Sequence, residues 1–79
     1  MKPALYPDQI MKKRLSVAAI LTEARTRKSL TQDQLGELVG FKGNTIYRIE
    51  SARFSPNADQ LYALCEALDI TLTLDGIDI

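Results

Sequence analysis

The segment Lys42 to Arg48, KGNTIYR, contains side chains whose types and spacing suit the reading of DNA bases. Asn44 and Arg48 lie four residues apart, so on a helix both project from one face. In the major groove an Asn side chain forms two hydrogen bonds with adenine, and an Arg side chain forms two with guanine. Tyr47 lies beside them, where its ring suits packing within the protein as well as contact with a sugar or a thymine methyl group.

The side chains that enzymes and metal sites require are scarce. The chain has no His and only one Cys, Cys65, which excludes a Cys–His nucleophile and a disulfide and argues against zinc. Cys65 falls in an apolar stripe, where a free Cys behaves as a small hydrophobic residue. No Gly-rich phosphate loop is present, and Asp75 and Asp78 are more typical of solvent-facing acids. We expect no catalytic residue, no metal and no cofactor.

Length and composition predict one small globular domain. The chain has 79 residues, of which 46% are apolar, and its formal net charge is zero. The charge is nevertheless polarised: residues 1–28 sum to +5, residues 29–50 to −1 and residues 51–79 to −4. This asymmetry fits a basic part that meets a polyanion, although a solvated surface with no partner explains the same pattern.

Nothing in the sequence predicts a membrane partner. No apolar run approaches the roughly 20 residues that a membrane-spanning helix needs, and no signal-peptide pattern follows the first Met. We expect a soluble, cytoplasmic protein.

Helical periodicity and capping residues outline the first two helices. The segment MKPALYP has two prolines and predicts an arm or a short extended piece. A helix is expected over residues 9–28, with Asp8 as a candidate cap and Ser16 as an alternative start. Thr31 is a good N-cap for the second helix, whose apolar face is expected to comprise Leu35, Leu38 and Val39. Gly40 suits the residue that ends this helix in a left-handed conformation.

Two more helices and a strand follow. The third helix is expected to begin at Gly43 and Asn44, with one of these two residues as its cap, and the fourth near Pro56 with Ser55 as its cap. Residues 70–74, ITLTL, alternate with a period of two, which is typical of a half-buried strand with Ile70, Leu72 and Leu74 on one face.

A single strand needs a partner for its backbone groups. Two sources are available: the N-terminal KPALY segment, or the same strand of a second subunit across a two-fold axis. The alternative is an edge strand that packs on its own helices.

Two short helices joined by a tight turn with Gly describe a helix-turn-helix unit. Together with Arg25, the stretch SLTQDQLGELVGFKGNTIYRIESARFSPNADQLYALCEALDI resembles the helix-turn-helix domain of the phage-repressor (Cro/CI-type, XRE) family, over roughly residues 16–70. The matching positions are Leu30-Thr31-Gln32, Leu35, Gly40, Ile46, Ile49-Glu50, Pro56, Leu61 and Ala67-Leu68.

This resemblance implies an all-α, lambda-repressor-like domain of four or five helices with a C-terminal strand. Residues 1–15 are then an N-terminal arm or extra helical turns, residues 16–69 the DNA-binding domain, and residues 70–79 a dimerisation strand. The implied partner is double-stranded DNA, read by a homodimer.

The resemblance also assigns roles to particular residues. Gln32 corresponds to a Gln that contacts a phosphate and braces the recognition helix, and Arg53 to a phosphate contact beyond that helix. The residues implied to reach the DNA from the recognition helix are Lys42, Asn44, Thr45 and Arg48, with Tyr47 nearby. Gly43 departs from the pattern, because many family members have a base-reading side chain there. The exposed backbone at Gly43 suits a phosphate instead.

Arg25 and Glu50 are implied to form a structural ion pair that locks the first helix against the recognition helix. The C-terminal strand resembles that of HipB-type antitoxins, in which it completes a sheet in the dimer. The sequence thus predicts a DNA-binding repressor, and the alternative is an antitoxin that binds a co-encoded toxin and represses its own operon.

Overall fold

A computed structural model describes residues 8–79 of the chain, and the KPALY segment lies outside this range. Four helices are followed by a two-stranded antiparallel hairpin, which confirms the lambda-repressor-like fold expected from the sequence. The elements are α1 (Asp8–Arg27), α2 (Gln32–Val39), α3 (Gly43–Glu50), α4 (Ala58–Leu68), β1 (Thr73–Leu74) and β2 (Ile77–Asp78). None of the helices within residues 8–79 is both long and apolar enough to span a membrane.

Helix α1 runs without interruption through Ser16, so the alternative helix start there is wrong. Its buried face comprises Ala18, Leu21 and Ala24, spaced by three residues as one helical stripe requires. The same side of the helix continues towards its start through Ile10 and Arg14, which are half-buried and line a cavity together with Phe54 and Leu61.

Both predicted ends of α2 are confirmed. The Thr31 hydroxyl accepts a hydrogen bond from the backbone N–H of Gln34, whose side chain accepts one from the N–H of Thr31. Gly40 ends the helix with φ of 80°, a left-handed conformation that costs Gly little. The predicted apolar face was partly wrong, because Leu38 is 61% exposed. Leu38 lies at the margin of that face, beside an open surface groove that Tyr62 and Glu66 of α4 also line.

The predicted start of α4 was also wrong. The N-cap is Asn57 rather than Ser55, and the helix begins at Ala58. The Asn57 side chain accepts from the N–H of Gln60 at 2.8 Å, while the Gln60 side chain accepts from the N–H of Asn57 at 2.9 Å. This reciprocal capping box satisfies two backbone donors, which a start at Pro56 would not achieve. Helix α3 begins at Gly43 as predicted, but the predicted cap at Gly43 or Asn44 was wrong. The N-cap is Lys42, whose side chain makes no capping hydrogen bond.

The four helices share one small core. Its largest fully buried side chains, Leu35, Ile46 and Leu64, come from α2, α3 and α4. Cys65 is buried, and burial raises the pKa of its thiol, which keeps it protonated. The remaining members of the cluster are Leu21, Ala24, Ile49 and Leu68.

The C-terminal strand forms, but with a partner that the sequence analysis missed. Residues 73–74 pair with residues 77–78 of the same chain, so neither KPALY nor a second subunit supplies the observed partner. Asp75 and Gly76 connect the strands with φ of 52° and 77°, as a type I′ hairpin turn requires. The observed strand, Thr73–Leu74, is therefore shorter than the strand predicted over residues 70–74. Ile70 and Leu72 are half-buried ahead of it, and Leu74 is exposed.

Candidate nucleic-acid interface

Helix α3 separates its apolar and polar residues onto opposite faces. Ile46 and Ile49 are buried in the core. Asn44, Tyr47 and Arg48 are exposed on the other face. The exposed Lys42 immediately precedes the helix, and Thr45 is half-buried at the border between the faces. The predicted base-reading residues therefore share one accessible surface, which we call the α3 face.

Aromatic rings position the two arginines at the C-terminal end of this face. The Arg48 guanidinium carbon lies 5.3 Å from the centroid of the Phe54 ring, and that of Arg53 lies 5.9 Å from the Tyr47 ring. Both distances fall within the range of cation–π attraction. The rings restrict the two side chains while leaving their N–H donors free for other partners.

Three helices are joined at the carboxylate of Glu50, the last residue of α3. Arg25 of α1 donates from Nε to Glu50 Oε2 at 2.7 Å and from Nη2 to Oε1 at 3.0 Å. Arg25 Nη1 also donates to the carbonyl oxygen of Leu30 at 2.7 Å. The hydrogen bonds that Arg25 donates to Glu50 raise the pKa of Arg25, while burial opposes the rise. This bidentate pair is nearly withdrawn from water, since the side chains are 13% and 6% exposed.

Gln32, at the start of α2, joins the same group. Its Nε2 donates to Glu50 Oε1 at 3.0 Å, so Glu50 accepts three hydrogen bonds from two other helices. This hydrogen bond holds α3 against α2, as predicted for Gln32. A phosphate contact by Gln32 remains a prediction.

Two cations at the end of α1 and just beyond it, Arg27 and Lys28, form ion pairs within the protein. Lys28 Nζ lies 2.6 Å from Asp69 Oδ2, and Arg27 Nη1 lies 3.3 Å from Glu23 Oε1. Both pairs are largely exposed, so water and salt screen them.

Two glycines allow α2 and α3 to approach closely. A Cβ atom added to the buried Gly36 would lie 2.5 Å from the carbonyl oxygen of Phe41, in the turn between the helices. A Cβ atom added to Gly43 would overlap the carboxylate of Asp33 on α2. Neither of these contacts, at Gly36 or between Gly43 and Asp33, can be predicted from spacing along the chain.

The arrangement of α2 and α3 matches a known protein family. A helix-turn-helix family model, HTH_3, matches residues 21–74, which include α2, α3, α4 and β1. The chain belongs to the HTH_3 helix-turn-helix family. It is therefore a DNA-binding regulator and not an enzyme, as the sequence predicted. No relative among curated proteins matches.

Solved structures agree with the HTH_3 assignment. The P22 c2 repressor, in complex with the synthetic operator 9T, superposes with a TM-score of 0.68 and 27% identity, over 70% of this chain and 83% of that one. A HipB complex with an O2 20-mer has the same TM-score at 19% identity, with 94% of both chains covered. HipB in a HipA–HipB–O2–O3 complex gives a TM-score of 0.67, also at 19% identity, over 92% of this chain and 94% of that one. At this identity the HipB comparisons show the shared fold alone.

The ion pair at Glu50 leads to a prediction about stability. Glu50→Ala is expected to lower the free energy of unfolding by about 1–3 kcal/mol, because it leaves the partly buried Arg25 charge and the Gln32 amide without their acceptor. Urea denaturation followed by circular dichroism measures this loss. Glu23→Ala removes a carboxylate from an exposed pair and is expected to cost less than about 0.5 kcal/mol.

The double variant Arg25→Met/Glu50→Leu distinguishes the cost of an unpaired Arg25 charge from the cost of lost side-chain packing. It is expected to recover most of the stability lost in Glu50→Ala, because no buried charge remains. Equal losses in Glu50→Ala and Glu23→Ala would show that the Arg25–Glu50 pair does not hold the helices together.

Proposed function

We propose that this helix-turn-helix regulator is a sequence-specific repressor that binds a palindromic operator as a homodimer. The observation that supports this most directly is the α3 face, where Asn44 and Arg48 project from a helix whose opposite side is buried. A recognition helix needs such a face, since it enters the major groove and presents donors and acceptors to base edges. A dimer bound across a promoter represses by excluding the transcription machinery.

The contacts of the α3 face suggest a division of roles. Asn44 and Arg48 are the proposed base readers. Lys42 and Arg53, at the two ends of the face, are proposed to contact phosphates. The likeness to the P22 c2 repressor, whose solved complex includes an operator, supports repression as the outcome of binding.

The proposed dimer interface lies at the C-terminal hairpin. Its apolar side chains Leu74, Ile77 and Ile79 are 59%, 67% and 66% exposed. A two-stranded hairpin alone has little stability in water, and its outer strand edges have unpaired backbone groups. A second copy related by a two-fold axis covers such a surface with an identical one. The same axis would set two α3 helices about 34 Å apart, the spacing of half-sites on one side of DNA.

If Asn44 and Arg48 read bases, replacing either one should lower both the affinity for DNA and the selectivity for its sequence. Arg48→Ala and Asn44→Ala are each expected to weaken binding by about 1–3 kcal/mol per half-site and to relax the base preference at one position. Selection from a random DNA pool identifies the operator, and fluorescence anisotropy at several salt concentrations measures the affinity.

Two arginine variants serve as controls. Arg27→Ala removes a charge from α1 and is expected to leave the selected sequence unchanged. Arg53→Ala is expected to weaken binding to all sequences alike and to reduce the slope of log affinity against log salt by about 1. If Arg48→Ala and Asn44→Ala select the same sequence as the unmodified protein with equal affinity, the assigned base readers are wrong.

The hairpin interface makes a separate prediction. Ile77→Asp is expected to shift the protein from dimer to monomer in sedimentation experiments, because an unpaired carboxylate would have to be buried at the interface. It should also abolish preferential binding to paired half-sites. Ala19→Asp places the same charge at an exposed position of α1 and should leave the protein dimeric. A dimer that persists in Ile77→Asp would place the interface elsewhere.

A second candidate function is that of an antitoxin that binds a co-encoded toxin and represses its own operon. Two observations favour it. The HipA–HipB–O2–O3 complex has a helix-turn-helix chain similar to this one. In addition, Met11 and Leu15 are 42% and 55% exposed on the part of α1 that precedes the family match. Exposed apolar residues next to each other on a helix suit a protein partner.

Coexpression with the neighbouring reading frames tests this candidate. A neighbour that is toxic alone and copurifies with this protein would support it, and the double variant Met11→Ser/Leu15→Ser is expected to lose the partner but retain DNA binding. The double variant Ala19→Ser/Glu37→Gln alters exposed positions elsewhere and should retain both. If no neighbouring product binds, the protein acts as a plain repressor.

A further inference from the structure

The first residue of α3 has no side chain, and a side chain from α2 occupies its place. Gly43 begins the helix, and a Cβ atom added there would overlap Oδ1 of Asp33. The Cα of Asp33 would be 3.3 Å from that added Cβ, so the two backbones are also close. The Asp33 carboxylate therefore lies where the first side chain of α3 would begin, at the end of the helix that base readers use.

We propose that Asp33 replaces residue 43 as a base-reading residue and selects cytosine at one position of each half-site. This proposal rests on the proposed binding of α3 in the major groove. It assigns to α2 a specificity-determining contact that the α3 residues alone do not include.

The carboxylate is available for such a contact. Within residues 8–79, no side-chain hydrogen bond or ion pair engages Asp33, which is exposed. An ionised carboxylate only accepts hydrogen bonds, so it needs a donor from outside the protein. It also disfavours a phosphate at Gly43, because two negative charges repel at short range. The suggestion that the Gly43 backbone binds phosphate is therefore the weaker interpretation.

The hydrogen-bonding groups that bases present in the major groove favour cytosine as the partner of the Asp33 carboxylate. Guanine and thymine present acceptors to the major groove, and these repel a carboxylate. Adenine presents a donor at N6 beside an acceptor at N7, whereas cytosine presents its N4 donor without a neighbouring acceptor. An Asp at this position therefore favours cytosine over the other three bases.

A structural role for Asp33 has different consequences. A carboxylate in the first turn of α2 interacts favourably with the helix dipole, and this effect stabilises the protein whatever DNA is bound. If Asp33 acted only in this way, replacing it would change the melting temperature and leave base preference unaltered. Base preference is therefore the measurement that distinguishes the two roles.

The test compares sequences selected from a random DNA pool by the unmodified protein and by Asp33→Asn. The unmodified protein is expected to prefer cytosine at one position of each half-site by roughly fivefold to tenfold. Asp33→Asn is expected to change that preference to adenine, because an amide both donates and accepts. All other positions of the motif should stay the same. Glu37→Gln removes a charge from the exposed side of α2 and should alter no position.

A second variant moves the contact back to α3. Asp33→Ala/Gly43→Gln removes the carboxylate and adds a side chain in the space that it leaves. We expect the double variant to prefer adenine at the same position by roughly fivefold, because Gln pairs with adenine through two hydrogen bonds. Circular dichroism checks that each variant is folded.

Each outcome decides between the proposals. A motif that is identical for the unmodified protein and Asp33→Asn overturns the role of Asp33 and leaves the proposed repressor intact. A pool from which the folded, unmodified protein selects no motif overturns both. A change of preference at the predicted position alone supports the assignment.

Discussion

The carboxylate of Glu50 is the contact on which the orientation of α3 depends. It closes the C-terminal end of the helix by accepting hydrogen bonds from Arg25 of α1 and Gln32 of α2. Apolar packing of Ile46 and Ile49 attaches α3 to the core but is not directional. A bidentate ion pair has a fixed geometry. The pair therefore restricts rotation of the helix about its axis, and this rotation determines which side chains reach a groove.

The N-terminal end of α3 is constrained by close approach rather than by charge. Gly36 lets the turn pass over α2, and Gly43 leaves room for Asp33. Larger residues at either position would push the two helices apart or displace the turn. The α3 face is thus built from two helices: α3 contributes amide and guanidinium groups, and α2 contributes a carboxylate at its edge. The proposed DNA-binding surface therefore includes both signs of charge.

Local signals account for most of the predicted elements and for most of the errors. Thr31 and Gly40 were recognised because capping and left-handed termination depend on residues adjacent in sequence. Asn57 and Gln60, three residues apart, have the spacing of a capping box, which is an equally local signal. The prediction instead relied on Pro56, and this placed the helix start too early. The Asp-Gly pair at residues 75–76 is a strong hairpin signal between alternating apolar residues. It indicates that the partner strand follows directly, which neither of the two predicted partner strands does.

By itself, the sequence determined the helix-turn-helix unit, the capping residues at both ends of α2, the core positions of α3 and the residue types suited to DNA. These properties depend on periodicity and on neighbours within a few residues, which a linear chain displays directly. Tertiary structure alone decided that Leu38 faces water and that Asp33 lies over Gly43. Such contacts join residues of different elements, and their existence depends on distances that arise only when the helices pack together.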